Sequence, residues 1–270
     1  MLIVIPAILR HKPVVELAIA RLKNRFPDAS YLIVCPVPDE FISLNDTIVR
    51  IAADDEFSLV SRAELAAALT PTKRHLVSWY YQQLLKYAVV ADTQESRVLV
   101  LDSDTVVMRD IRCGPNVFFT SKERHDKYFE HFRVLFRATA PFKASAITNF
   151  MWFNTNALRE MLLEIEGIHY KKWWKAIIDI INNISQDSAF SEYETYANWF
   201  ALRHGPHAEV PIHIFRRGDL LIRSETDYAR VISEVEGKDF EMVAFEFNHR
   251  GGLLRKLGAR IFLKFSIRRW

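Results

Sequence analysis

The chain has 270 residues, 50% of them hydrophobic and 26% charged, which is ordinary usage for a soluble globular protein with one large α/β domain. Its two cysteines, Cys35 and Cys113, lie far apart and without metal-ligand spacing, which argues against a disulfide framework and favours a reducing cytosol. The net charge of +3 comes from residues 253–270, which hold six basic residues and no acid. The remaining 30 basic and 33 acidic residues form a mildly acidic body, which is not typical of nucleic-acid binders.

The first part of the chain alternates strand and helix patterns. Residues 2–5 are apolar, lack a basic leader and stop at Pro6, so a first strand is expected and not a signal peptide. A helix is predicted over 12–25, followed by short apolar strands at 31–34 and 48–51. This alternation is typical of β-α-β units around a parallel sheet. No apolar run approaches the roughly 18 residues that a membrane-spanning helix needs.

An acidic run, Asp54-Asp55-Glu56, follows the third strand. One interpretation is an N-cap for a helix over 57–68, because Asp favours that position. The other is a ligand-binding loop at a strand end.

The next helix, predicted over 76–90, carries Trp79, Gln83 and Lys86 at spacings of four and three residues. These spacings put an aromatic ring, an amide and a cation on one helical face. Such a face can meet a sugar or a diphosphate, or it can be an ordinary solvated surface.

The most informative stretch is the apolar run 98–101 and the two acids that follow it. Val and Leu without interruption predict a parallel strand buried on both faces. Asp102 and Asp104 leave this strand at its carboxyl end, where ligand sites of α/β sheets form, and alternation puts both on one side of the chain. Two such carboxylates suit a hard divalent cation that also holds phosphate oxygens.

The second half continues the α/β pattern. Segment 122–137 is rich in charged and aromatic residues and is predicted as an exposed amphipathic helix or, alternatively, as an acceptor-facing element with anion-binding Arg and His. Further strands are predicted at 117–120, 148–153, 212–215 and 241–247. Further helices are predicted at 156–166, with Asn156 as its cap, and at 171–183.

Three carboxylates, Asp187, Glu192 and Glu194, then fall within a short stretch. Ser191 followed by Glu194 also fits a helix capping box, which would be purely structural.

Three passages occur in this order along roughly residues 1–250. They are Trp79-Tyr80-Tyr81-Gln82-Gln83-Leu84-Leu85-Lys86, Leu101-Asp102-Ser103-Asp104-Thr105 and Ser191-Glu192-Tyr193-Glu194-Thr195-Tyr196. Together they resemble bacterial DxD glycosyltransferases of the GT-A type, in particular a poorly characterised group linked to cell-surface polysaccharides. The resemblance implies an α/β, Rossmann-like GT-A domain over 1–250, with a mixed, mostly parallel sheet flanked by helices, and a basic amphipathic C-terminal helix over 251–270.

The resemblance also implies a nucleotide-sugar donor bound over the first half of the sheet, with Mn²⁺ or Mg²⁺ bridging its diphosphate, and a glycan or lipid-linked acceptor. A hydrogen bond from uracil to Asp54 would favour a UDP-sugar. The expected metal ligands are Asp102, Asp104 and His249, which ends the last predicted strand. The residues expected to bind the donor are Pro6, Ala7, Asp54, Trp79, Gln83, Lys86, Asp102 and Ser103.

Sugar transfer with inversion needs a carboxylate that takes the proton of the acceptor hydroxyl. Glu192 and Glu194 are the candidates, with Asp187 behind them, and neighbouring acids raise each other's pKa. A retaining enzyme needs no such base, and these acids would then orient the acceptor. Both alternatives stay open.

The stretch around Asp102 has a second interpretation. It also resembles the nucleophile motif of haloacid-dehalogenase-type phosphatases, with Asp102 as nucleophile, Asp104 as acid/base and Mg²⁺ present. Against it, that motif normally opens its fold, whereas about 100 residues precede it here. The second acidic metal motif of those enzymes is also missing, since Gly218-Asp219 is not followed by the expected acid.

The basic tail indicates membrane contact. Leu254, Leu257, Ile261 and Phe265 recur at spacings of three and four residues with cations between them, which is typical of an interfacial helix on anionic lipid. The alternative is a C-terminal helix packed on the body, and a third possible function is a non-catalytic, membrane-associated binding protein. The expected location is cytoplasmic, peripheral on the inner face of the cell membrane. The residues expected to touch the membrane are Arg255, Lys256, Arg260, Lys264, Arg268 and Arg269.

Overall fold

The computed structural model of the protein describes residues 1–57, 59–216, 218–222 and 224–246. In chain order its strands are β1 (Leu2–Pro6), β2 (Ser30–Cys35), β3 (Val49–Ala53), β4 (Arg97–Leu101), β5 (Thr105–Val107), β6 (Val117–Thr120), β7 (Phe150–Asn154), β8 (Ala208–Pro211), β9 (Ile214–Phe215) and β10 (Met242–Ala244). Its α-helices are α1 (Lys12–Arg25), α2 (Arg62–Ala68), α3 (Val77–Asp92), α4 (Asp126–Phe136), α5 (Thr155–His169), α6 (Trp173–Asn183), α7 (Glu192–His204) and α8 (Thr226–Val235).

A central sheet has the spatial order β3-β2-β1-β4-β7. Strand β1 pairs in parallel with β2 and β4, and β2 pairs in parallel with β3. Strand β7 is antiparallel to β4, with Arg97 opposite Asn154. The predicted α/β fold, with a mixed, mostly parallel sheet flanked by helices, is therefore confirmed.

The alternating side chains of β4 enter two apolar cores, one on each face of the sheet. Val98 and Val100 pack with residues of α3, α5 and α6, whereas Leu99 and Leu101 pack with residues of α1 and α8. All four are fully buried. Burying one such side chain stabilises the fold by about 1.5–3 kcal/mol, so this strand is held firmly in register.

The order of the strands reverses between β1 and β4. The chain lays β2 and then β3 on one side of β1, returns through α2 and α3, and places β4 on the other side. At such a reversal the connections leave in opposite directions and open a crevice outside the carboxyl ends of the strands. Pro6 ends β1 and Asp102 follows β4, so these two predicted site residues meet at this crevice.

Two helix starts differ from the sequence prediction. Helix α2 begins at Arg62 and not at 57, because Ser61 and Glu64 form a capping box there. The acidic run before it forms a 3₁₀ turn instead of an N-cap. Helix α5 is capped by Asn154, whose side chain accepts the N–H of Ala157 at 3.0 Å, and not by Asn156.

Smaller sheets complete the fold. Strand β10 pairs antiparallel with β5 and parallel with β9, and β6 pairs in parallel with β8. Neither β8 nor α8 was predicted from the sequence. Within the described ranges, no helix combines the length and the apolar character that crossing a bilayer requires. The predicted C-terminal helix over 251–270 and the predicted metal ligand His249 lie outside the described residues.

Candidate functional site

A cavity of about 820 Å³ opens at the carboxyl ends of the parallel strands. Each of these strands delivers a lining residue at or just after its end: Pro6 from β1, Pro36 from β2, Asp54 from β3 and Asp102 from β4. Helix α3 contributes Trp79, Gln83 and Lys86 to the lining. The predicted site residues that line the cavity are Pro6, Ala7, Asp54, Trp79, Gln83, Lys86, Asp102, Ser103, Asp104 and Glu192.

The turn that carries the two acids is fixed by backbone hydrogen bonds on both sides. The Asp102 N–H donates to the Asn149 carbonyl oxygen at 2.9 Å, and the Phe245 N–H donates to the Asp104 carbonyl oxygen at 2.7 Å. Asn149 has a φ of 62°, a left-handed conformation that Asn adopts more readily than most residues. The start of β7 and the end of β10 thus hold the acidic turn in place.

A buried lysine lies at the centre of the cavity wall. Lys86 is only 3% exposed, and its ammonium donates to Asp102 Oδ1 at 2.5 Å and to Glu192 Oε1. Tyr193 donates its hydroxyl to the same Asp102 oxygen at 2.8 Å, and its ring centre is 4.3 Å from the ammonium. Burial opposes the charged form of Lys86, but the attraction of the two carboxylates outweighs it and raises the pKa of the lysine.

Glu192 is held by this lysine and by a glutamine. It is 4% exposed, and burial raises the pKa of its carboxyl against the opposing effect of Lys86. Its backbone N–H donates to Gln83 Oε1 at 3.2 Å. The amide nitrogen of Gln83 is buried and has no hydrogen-bond partner within the described part of the chain. That nitrogen can donate a hydrogen bond to a molecule bound in the cavity.

Asp104 lies in an excess of negative charge. Burial, together with the neighbouring carboxylates of Asp102 and Glu246, raises the pKa of Asp104 to about 7, although Thr105 donates a hydrogen bond to it at 3.2 Å. A group of carboxylates that repel one another in this way is relieved by a cation.

The carboxylates of Asp102 and Asp104 fit a divalent cation that takes its remaining ligands from water and substrate. Among the residues that the structure describes, no three His, Cys, Asp or Glu side chains are grouped to hold a metal by themselves. Mg²⁺ is commonly bound by one or two carboxylates and completes its shell with water and substrate phosphate. Asp104 and Asp102, one of whose oxygens is engaged by Lys86, match that mode.

Of the acidic run after β3, Asp54 lines the cavity, and the run does not cap α2. Asp54 is 8% exposed, and Arg62 donates to its Oδ2 at 2.6 Å. The Arg62 guanidinium also lies 4.0 Å above the ring centre of Tyr81. All three residues line the cavity. Arg62 and Tyr81 were not predicted, because nothing in the local sequence separates them from other helix residues.

A second set that sequence reasoning missed follows β1. His11 Nδ1 lies 2.8 Å from Ser103 Oγ, and Arg10 Nε donates to His11 Nε2 at 3.1 Å. Burial first, and then the charge of Arg10, lower the pKa of His11 to about 4, so the ring is neutral at pH 7. The available signal was positional: residues after β1 leave the sheet at the same edge as Asp102.

The far wall of the cavity is tied together by Arg216. Its guanidinium donates to Asn149 Oδ1 and Glu246 Oε1, both at 2.8 Å, and to the Ile147 carbonyl oxygen at 3.0 Å. A further ion pair joins it to Glu123 at 3.2 Å. Glu123 precedes α4 and Tyr128 lies within it, and both line the cavity, so segment 122–137 does reach the site. Helix α4 is amphipathic, as predicted.

The other two predicted acids do not line the cavity. Glu194 is 1% exposed and accepts hydrogen bonds from Ser145 Oγ at 2.6 Å, Ala146 N at 3.0 Å and Asn198 Nδ2 at 2.8 Å. Ser191 accepts the Glu194 N–H as predicted, but the Glu194 carboxylate turns to these partners instead of closing a capping box. Asp187 is exposed, 3.7 Å from His75 Nε2.

Comparisons with known proteins add a family and a set of similar folds. The model of the family described as "Family of unknown function (DUF6492)" matches residues 9–214. A search of curated proteins finds no significant match.

Among solved structures, the galactosyltransferase LgtC, in complex with donor and acceptor sugar analogues, is 14% identical with a TM-score of 0.49; the match covers 100% of this chain and 97% of that one. Mouse xyloside xylosyltransferase 1 is 11% identical with a TM-score of 0.47, covering 92% and 97%. The glycosyltransferase GlyE of Streptococcus pneumoniae is 12% identical with a TM-score of 0.42, covering 100% and 60%. Similarity at this level does not establish a common activity, which has to follow from the site itself.

Proposed function

Because the chain belongs to DUF6492, a family of unknown function, we propose its activity from the chemistry of the cavity. The protein is a glycosyltransferase that moves a sugar from a nucleotide-sugar donor, preferably a UDP-sugar, to a glycan or lipid-linked acceptor in cell-surface polysaccharide assembly. One observation carries the proposal: Asp102 and Asp104 line a large cavity together with Pro6 and Ala7, at the reversal of the strand order where α/β sheets bind nucleotides.

The reaction is metal-dependent in this proposal. Asp104 and Asp102 would hold Mn²⁺ or Mg²⁺ with the diphosphate, and His249, outside the described residues, would complete the shell. When bound, the ion acts as a Lewis acid that stabilises the charge on the departing diphosphate. Burial and, after it, the neighbouring carboxylates of Asp102 and Glu246 raise the pKa of Asp104, and a cation at this position would offset both effects, which supports this assignment.

The remaining side chains bind and orient. Lys86 holds Asp102 and Glu192 in one geometry, because its ammonium donates to both. Of the candidate acids, Glu192 is the one that lines the cavity. In an inverting transfer Glu192 would take the proton of the acceptor hydroxyl, and burial, which raises its pKa, suits that task. In a retaining transfer it would orient that hydroxyl.

The phosphatase alternative has no specific observation in its favour. It needs Asp102 as an attacking nucleophile, but one oxygen of that carboxylate accepts hydrogen bonds from both Lys86 and Tyr193. Asp102 also follows the fourth strand of the chain and not the first.

We also propose that the protein is peripheral on the inner face of the cell membrane. The support is the sequence of residues 253–270 alone, six cations without an acid on an amphipathic pattern. A lipid-linked acceptor would be reached from that position.

The central proposal is tested by thermal shift with a panel of nucleoside diphosphates, with and without Mn²⁺, on the wild type and on Asp104→Ala. A ligand that binds only the native state raises the melting temperature. We expect one base to raise it only when the metal is present, and Asp104→Ala to lose that shift. Asp110→Ala, an exposed carboxylate paired with Arg112, serves as the matched control and keeps the shift. Absence of any shift in the wild type, or an intact shift in Asp104→Ala, would refute the proposal.

A further inference from the structure

Three side chains form a hydrogen-bonded row along one edge of the cavity: Arg10, His11 and Ser103. Arg10 Nε lies 3.1 Å from His11 Nε2, and His11 Nδ1 lies 2.8 Å from Ser103 Oγ. His11 is 8% exposed and Ser103 is 3% exposed, and all three residues line the cavity. The row joins residues 92 positions apart in the chain, the turn before α1 and the acidic turn after β4.

The direction of every hydrogen bond in this row is determined at its arginine end. A guanidinium has only donors and no lone pair to accept with. Arg10 therefore donates, and Nε2 of His11 accepts and carries no proton. The proton of the neutral ring is then on Nδ1, which donates to Ser103 Oγ. Arg10 thus selects the tautomer of His11, and His11 in turn makes the serine oxygen an acceptor.

This arrangement leaves the proton of the Ser103 hydroxyl for another acceptor. Within the described ranges, His11 is the hydrogen-bond partner that the serine side chain has. Burying a hydroxyl whose proton has no acceptor destabilises the structure. A molecule in the cavity can supply that acceptor, since Ser103 lies in its wall between Asp102 and Asp104.

We propose that His11 is a positioning residue. It orients the Ser103 hydroxyl so that this hydroxyl donates a hydrogen bond to a diphosphate oxygen of the nucleotide-sugar. The inference rests on the proposed function and assigns one of its ligand contacts. A phosphate oxygen is purely an acceptor, which matches a hydroxyl with only a proton to give. The two carboxylates of this turn repel a phosphate, so a hydrogen-bond donor on the same turn favours its binding.

Two substitutions at one position separate this role from mere packing. The amide of asparagine sits where Nδ1 of histidine sits, so His11→Asn keeps a donor for Ser103. The amide of glutamine sits where Nε2 sits, so His11→Gln keeps a hydrogen-bond partner for Arg10 but loses the hydrogen bond to Ser103. Ser103→Ala removes the hydroxyl itself.

The experiment measures the dissociation constant of the nucleoside diphosphate that shifts the wild type, by calorimetry in Mn²⁺. We expect His11→Asn to bind like the wild type, and His11→Gln and Ser103→Ala to bind about tenfold more weakly, the equivalent of about 1.4 kcal/mol for one lost hydrogen bond. The double variant His11→Gln/Ser103→Ala binds no more weakly than Ser103→Ala, because both changes remove the same contact. The corresponding nucleoside, which has no phosphate, binds all the variants equally.

A second measurement needs no ligand. Nitrogen NMR of the His11 ring, assigned by its loss in His11→Asn, is expected to show the proton on Nδ1. A proton on Nε2, or His11→Gln binding as tightly as the wild type while Ser103→Ala is weak, overturns this inference and leaves the proposed function standing. A wild type that binds no nucleoside diphosphate overturns both.

Discussion

The ammonium nitrogen of Lys86 lies 2.5 Å from Oδ1 of Asp102, where only 3% of the lysine is exposed. Helix α3 supplies the cation and the end of β4 supplies the carboxylate, and Glu192 approaches the same ammonium from α7. Two carboxylates and one ammonium therefore share a site in which Lys86 and Glu192 are buried. Each carboxylate depends on the lysine for its charge balance.

Replacing Lys86 with Met leaves the buried Glu192 carboxylate without its cation. It also removes the cation beside Asp102, whose side chain is 23% exposed and keeps the hydrogen bond from Tyr193. Such a change costs about 3–5 kcal/mol of unfolding free energy, which urea titration at pH 7 measures. Adding Glu192→Gln to Lys86→Met should recover part of this loss, because one of the stranded charges is removed. The matched control is Lys171→Met, whose pair with Asp179 is about half exposed and worth less than about 1 kcal/mol. Equal costs for the two lysines would contradict the central role of Lys86.

Replacing Asp104 with Asn is expected to stabilise the free protein and abolish nucleotide binding. The pKa of Asp104 is raised to about 7, above its ordinary 3.8, so the folded state binds more protons than the unfolded state between these two values. The carboxyl therefore costs stability as the pH rises through about 7, and the amide does not. We expect a melting temperature higher by about 2–4 °C at pH 8, the shift that about 1 kcal/mol produces in a chain of this size.

The matched control for that change is Asp110→Asn. Arg112 lowers the pKa of Asp110, so its amide is expected to give no gain. Stabilisation of both variants, or of neither, would show that the buried Asp104 carboxylate, with its acidic neighbours, is not what destabilises the free protein.

Acid is expected to destabilise the fold through His131. This residue is fully buried, and burial lowers its pKa to about 4 from 6.5. Between these values the unfolded state binds more protons, so stability falls as the pH falls through this window, by up to about 3 kcal/mol. His131→Phe removes the pH-dependent part of the unfolding free energy that comes from His131. The slope of stability against pH therefore becomes shallower, and the part that comes from His11 remains.

The control for His131 is His213→Phe, a histidine whose side chain is 57% exposed. Urea unfolding between pH 4 and pH 6.5 gives the slopes. A His131→Phe slope equal to that of the wild type and of His213→Phe would sink the assignment.

Deleting residues 253–270 is expected to release the protein from anionic liposomes. The segment carries six cations, each worth about 1 kcal/mol near an anionic surface. Co-sedimentation with anionic and with neutral vesicles measures the effect, and binding of the full chain should weaken as salt is raised. Arg255→Gln/Lys256→Gln, which keeps the length of the tail, separates charge from apolar insertion. Unchanged co-sedimentation of the deleted chain would exclude the tail as anchor.

The local sequence pattern was enough to predict an element wherever adjacent residues of one segment indicate its structure. The uninterrupted apolar run of β4, the helix over 12–25 and the acids at the strand end were all predictable, because burial on both faces, helical periodicity and strand alternation are written in adjacent residues. The same holds for the edge of the sheet at which Pro6, Asp54 and Asp102 meet, since parallel strands share one carboxyl end. Boundaries were less accurate: the capping box of Ser61 moved the start of α2 past the acidic run.

The partners of the site residues were decided by the tertiary structure. Glu192 and Glu194 are two positions apart on α7, and a helix turns roughly 200° over two residues, so at most one of them can face the cavity. The sequence by itself therefore determined only that both could not do so. The packing of α7 against α3 and the 145–146 segment determined that it is Glu192, while Glu194 binds Ser145 and Ala146. Contacts such as these join residues 48 to 106 positions apart, and no local pattern encodes them because each depends on where the rest of the chain has packed.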